Sequence, residues 1–122
     1  IVAEGTHPGP DGKGYCRTPG IYTAAQINGW RAVTDAVHAA GGRIVLQLMH
    51  CGRIAHPANK DATAETVAPS AIPARGKIYT ESGMQPFASP RALRLEEIPQ
   101  VIGEYRQATK NALAAGFDGV EL

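Results

Sequence analysis

The run Ile44-Val45-Leu46-Gln47-Leu48-Met49 limits this chain's fold more than any other stretch, because what reads as a buried strand is interrupted by one amide. Apolar and β-branched residues on both alternating faces are the pattern of a parallel strand covered on both sides. A polar side chain has little place there. Gln47 brings two donors and an acceptor, and burying them unpaired costs ~1–3 kcal/mol. Backbone or water can satisfy them, and so can a heterocycle that presents both a carbonyl and an N–H. The position favours the heterocycle. His50-Cys51-Gly52-Arg53 follow at once, and α/β proteins bind ligands just beyond the carboxyl ends of parallel strands.

The flanking elements set this strand in a repeating order. Residues 1–4 read as the end of a strand, and residues 5–20 as a Gly- and Pro-rich connection, long for a βα loop. Thr23-Ala24-Ala25-Gln26 has the form of a capping box, in which Thr23 accepts from the Gln26 amide and Gln26 reaches back. The helix begun there carries Ile27, Trp30, Val33 and Val37 on one stripe and ends at Gly41-Gly42. Residues 43–49 are the next strand. From residue 50 to 95 the chain is irregular, with Lys77-Ile78-Tyr79-Thr80 as a short strand in a hairpin excursion. Ile98, Val101, Ile102, Tyr105, Ala108, Ala112 and Ala115 trace a second helical stripe, with Pro99 in its first turn and Gly116 as its terminator. Residues 117–122 start a third strand. An order of β-loop-α-β-loop-α-β with tight αβ turns implies parallel strands and right-handed crossovers, with the long loops gathered at the carboxyl face. Barrel and doubly wound sheet both fit. The absence of Gly-x-Gly-x-x-Gly at a strand-to-helix turn weighs against a dinucleotide fold.

At 122 residues, 43% hydrophobic and 19% charged, the composition is that of one globular domain. The net charge of +1 is scattered, so no basic footprint points to nucleic acid or an anionic membrane. No apolar run approaches the ~20 residues of a membrane span. The chain opens inside the apolar run Ile1-Val2-Ala3 and closes on Gly119-Val120-Glu121-Leu122, so a section of a longer protein is expected, truncated at both ends. Cys16 and Cys51 form no disulfide framework, which points to a reducing, cytoplasmic setting.

Several short motifs follow one another along the chain: Glu4-Gly5-Thr6, Gly14-Tyr15 with Pro19-Gly20-Ile21, Leu46-Gln47-Leu48 with His50 and Gly52-Arg53, Ala68-Pro69-Ser70-Ala71-Ile72, Pro90-Arg91-Ala92-Leu93 with Glu97-Ile98-Pro99, and Ala115-Gly116-Phe117-Asp118-Gly119-Val120-Glu121-Leu122. In this order they resemble the old yellow enzyme family, the FMN-dependent ene-reductases of the NADH:flavin oxidoreductase type, and especially its alkene and N-ethylmaleimide reductase branch. The resemblance covers nearly the whole chain. It implies an α/β fold, part of a TIM (β/α)8 barrel, with residues 1–122 supplying strands two to four, the intervening helices and the long βα loops of an FMN-binding domain. It further implies that Gln47 bonds the pyrimidine edge of FMN, that Gly5 lets the backbone approach the flavin, and that Tyr15 lines the substrate pocket. Met49 stands where many relatives carry Trp, so it is the substrate-facing departure. No catalytic residue is assigned, because the resemblance places the family's catalytic groups outside these residues. The implied activity is NAD(P)H-driven reduction of activated alkenes, small molecules such as enones, maleimides or nitro compounds.

Other readings of the same residues remain open. Read by itself, Tyr15 is as well a packing aromatic in a Gly-rich loop. His50, Cys51 and His56, with Cys16 and His7 nearby, suggest zinc, but without Cys-x-x-Cys or His-x-x-x-His spacing no metal ligand is assigned. Arg53 suits an anion or open solvent. A metal-assisted hydrolase on the same barrel, or a non-catalytic fragment, are the alternative functions.

Overall fold

In the computed structural model, which describes residues 1–122, the capping chemistry read from the sequence is in place. Helix α1 spans Ala24–Ala39, with the Thr23 side chain accepting from the Gln26 amide and the Gln26 side chain accepting from the Thr23 amide. Helix α2 spans Ile98–Ala114 with proline in its first turn. It stops at Gly116, whose φ of +90° is the left-handed conformation that closes helices.

Strand β1 spans Val45–Gln47, shorter than the expected 43–49, and two extended segments flank it in parallel. On one side residues 1–6 bridge at Val2–Val45 and Thr6–Leu48. On the other lies the last strand, Gly119–Glu121, with Gln47 in register with Glu121. The ladder hydrogen bonds continue past the short strand, from Met49 N to Thr6 O at 2.9 Å and from Leu48 N to Glu121 O at 2.9 Å.

Burial alternates along this central segment. Ile44, Leu46 and Leu48 are buried, whereas Val45, Gln47 and Met49 are half-buried. The more covered face is the one on which the helices pack. Leu46 and its neighbours join Ile21, Ala108, Ala112, Ala115 and Phe117 in the core, with Ile27, Trp30 and Val37 of α1 packed against it. Both helices thus cover the same face of three parallel segments. A doubly wound sheet distributes its helices over both faces, while a TIM barrel keeps them all outside. This is the barrel arrangement.

The long excursion from residue 50 to 95 carries structure of its own. Strand β2, Val67–Ala68, pairs in parallel with β5, Arg91–Ala92; β3, Lys77–Thr80, forms the expected antiparallel hairpin with β4, Gly83–Pro86. We number the closing strand, Gly119–Glu121, β6. No helix is long and apolar enough to cross a membrane.

Candidate functional site

Three of the four residues singled out from the sequence converge. Gly5, at the carboxyl end of the edge segment, is buried, and a Cβ placed on it would stand 2.7 Å from Met49 Cε and 3.2 Å from Gln47 Oε1. Gln47 and Met49 are two apart on an extended segment, so both project from the face turned away from the helices. Gln47 Nε2 donates to Glu121 Oε2 at 3.4 Å, the long end of a hydrogen bond, across the β1–β6 ladder. Its Oε1 has no protein donor. Glu121 joins the site as a residue that the sequence reading did not single out.

Tyr15 is set apart from this cluster. It is 45% exposed and shares no hydrogen bond with Gly5, Gln47 or Met49; its carbonyl accepts from the Thr18 hydroxyl at 3.0 Å. Its loop is nevertheless fixed. A parallel bridge between His7 and Gly20 closes the ends, with His7 N donating to Pro19 O and Ile21 N to His7 O. Asn59, 5% exposed, donates from Nδ2 to Gly14 O at 3.1 Å and Tyr79 O at 2.9 Å. Lys60 Nζ reaches the carbonyls of Asp11 and Glu65, Glu65 N donates to Asp11 Oδ1, and Cys51 N donates to Gly12 O. Desolvation lowers the Lys60 pKa, with the Asp11 carboxylate opposing.

The remaining polar residues near the carboxyl ends hold the framework. His50 N donates to the Tyr105 hydroxyl and His50 Nδ1 accepts from Gly52 N, while desolvation lowers its pKa. His7, 4% exposed, is held near a pKa of about 4, first by desolvation and then by the Lys13 and Lys60 charges. Desolvation raises the Cys51 thiol pKa, so this is not an activated nucleophile. Arg53 has a structural role that the sequence reading did not consider. It staples the following loop, donating to Ile72 O at 2.8 Å and Ser70 Oγ at 3.0 Å. No group of three or more His, Cys, Asp or Glu side chains is placed to hold a metal ion, so these residues supply no ligand set for a metal-assisted hydrolase.

Comparison with known proteins gives a consistent picture. The sequence model of the NADH:flavin oxidoreductase / NADH oxidase family matches residues 1–122. The chain is 42% identical over its full length to 12-oxophytodienoate reductase 1 of Oryza sativa subsp. japonica, and 43% to flavin oxidoreductase hxnT of Emericella nidulans, covering 31% of each. Among solved structures, 98% of the chain superposes on morphinone reductase with a TM-score of 0.90 at 45% identity, and on an old yellow enzyme homologue from Zymomonas mobilis with 0.93 at 43%, covering 34% and 33% of those chains. The chain therefore spans about a third of the length of the relatives it matches, and within that third it has the fold of their TIM barrel.

Proposed function

Because the chain belongs to the NADH:flavin oxidoreductase / NADH oxidase family, we propose that the whole protein is an FMN-dependent ene-reductase that uses NAD(P)H to reduce the C=C bond of activated alkenes such as enones and maleimides. The observation that carries this reading is the pairing of Gly5 with Gln47. A buried glycine, over which a Cβ would crowd the movable end of Met49, lies beside an amide whose oxygen no group of this chain engages. Both sit at the carboxyl ends of parallel segments, where barrel enzymes bind their ligands.

The residues present fit a flavin. The pyrimidine edge of FMN offers carbonyl and N–H groups, and Gln47 offers a donor and an acceptor; over the Gly5 backbone lie only the flexible end of Met49 and the Gln47 amide oxygen, so a flat ring can approach there once Met49 yields. FMN held there by Gln47 and Gly5 would supply the hydride-transfer chemistry that links nicotinamide oxidation to alkene reduction. Gln47 orients the ring, and its donor stabilises negative charge on the pyrimidine edge. Met49, in contact distance of the Gly5 position, borders the substrate side with a thioether that adapts its shape more readily than an indole. Tyr15 lines the pocket from its pinned loop. Proton transfer to the alkene is assigned to no residue of this chain. The two free thiols, Cys16 and Cys51, suit the cytoplasm as the proposed location.

The test is direct. The whole protein should purify yellow and bleach when NAD(P)H is added without oxygen. Gln47→Leu should weaken FMN binding by roughly three- to tenfold, the scale of one net hydrogen bond. A colourless protein that cannot be reconstituted with FMN overturns the proposal.

A further inference from the structure

We propose that Glu121 is a positioning residue that fixes the orientation of the Gln47 amide and thereby the way round in which a ligand's hydrogen-bonding edge must bind. This rests on the flavin reading above and extends it to a residue that does not itself touch the ring.

An unconstrained glutamine amide can present its oxygen and nitrogen in either of two flipped arrangements. Here its surroundings are unequal. On the β6 side the Glu121 carboxylate, which only accepts, lies 3.4 Å from Nε2. On the other side Oε1 faces the Gly5 position, 3.2 Å from where a Cβ would be. Turning the amide over would set Oε1 against Oε2, acceptor against charged acceptor, in place of the long Nε2–Oε2 hydrogen bond. The arrangement is built into the sheet, since Gln47 and Glu121 are register partners and the Glu121 carbonyl accepts from Leu48 N at 2.9 Å.

A donor count follows. Nε2 carries two protons; Glu121 takes one, leaving one donor beside the free acceptor Oε1. The amide therefore offers a donor–acceptor pair of fixed polarity, matched by an imide-like edge with its N–H towards Gly5 and its carbonyl towards β6. A ring offering two carbonyls or two N–H groups side by side does not match.

Four variants of the whole enzyme decide the question: Gln47→Leu, Glu121→Leu, Glu121→Gln and the double variant Gln47→Leu/Glu121→Leu. FMN dissociation constants and the infrared stretch of the bound pyrimidine carbonyl are measured for each. Glu121→Leu frees the amide to take either orientation, so it is expected to weaken FMN by about twofold and to broaden the carbonyl band, whereas Gln47→Leu removes the donor, weakens FMN by about three- to tenfold and shifts the band. Glu121→Gln, which keeps an acceptor, should restore wild-type affinity and band. The double variant should bind FMN as tightly as Gln47→Leu alone and show the same band, since the second change acts only through the first. Glu121→Lys, which puts a donor opposite the amide and turns it over, should weaken FMN by about three- to tenfold and shift the band as Gln47→Leu does. Additive losses in the double variant, a failed rescue by Gln, or unchanged affinity in Glu121→Leu or Glu121→Lys overturns the positioning role alone. A wild-type enzyme that binds no FMN overturns the flavin reading, and this role with it, before any variant is made.

Discussion

At position 5 a side chain is excluded by its neighbours rather than by the backbone. Gly5 is not among the residues with positive φ, yet a Cβ there would crowd Met49 Cε at 2.7 Å and Gln47 Oε1 at 3.2 Å. The Met49 methyl is the free end of a flexible chain and can retreat, so Gly5→Ala should fold and bind FMN with a modest loss. Gly5→Val adds two further carbons to the same space, and FMN affinity should fall roughly tenfold or more, while circular dichroism of the whole protein stays unchanged. Equal FMN affinity in Gly5→Val would show that the ring does not approach this backbone. Gln47 was legible in the sequence because an amide in an apolar run calls for a partner. The same rule applies to Glu121, a carboxylate in the run Gly119-Val120-Glu121-Leu122; what the sequence lacks is the register that sets one opposite the other.

Local chemistry made the elements readable wherever the signal lay within a few residues: the Thr23 capping box, the proline in the first turn of α2, the Gly116 terminator and the β3–β4 hairpin all stand as read. Periodicity missed the polar contact through which two helices meet: the fully buried residue of α1 is Thr34. Its hydroxyl donates to Ala115 O at 2.6 Å, and Arg31 Nη2 donates to Ala114 O at 2.8 Å, so α1 satisfies carbonyls left over at the end of α2. A hydrophobicity pattern carries no trace of such a contact. Asn59 illustrates the same blindness in the loops. Asn59→Ala removes both of its buried donations, to Gly14 O and Tyr79 O, and should cost ~1–3 kcal/mol. Hydrogen exchange should quicken in the loop around Tyr15 and in the hairpin, with FMN affinity kept because Gly5 and Gln47 lie on other segments. Unaltered exchange would mean that Asn59 does not join the two loops.

Acid should act on the whole molecule in two stages. The unfolded chain takes up a proton on a histidine near pH 6.5, whereas folded His7 resists until about pH 4. Between these values the unfolded state binds more protons, so stability falls as the pH drops, by at most about 3 kcal/mol. His7→Asn should flatten that part of the stability profile; an unchanged slope would place the titration elsewhere. Below about pH 4 a second loss begins at the opposite end of the strands. Asp118 accepts from Ile44 N at 2.8 Å, His38 Nε2 at 2.9 Å and Arg43 Nη1 at 2.9 Å, contacts that hold its carboxyl well below the usual carboxylate range. Its contribution is present above the ordinary aspartate value and is lost as the pH falls further. The joined loops at the carboxyl face bear on how such an enzyme can diversify. Asn59 and Cys51 in one loop bind the carbonyls of Gly14 and Gly12 in the other, so grafting either loop alone from a relative would strand the buried Asn59 donors. A graft that exchanges both loops together keeps the Asn59 and Cys51 donations and leaves the Gly5–Gln47 pair untouched.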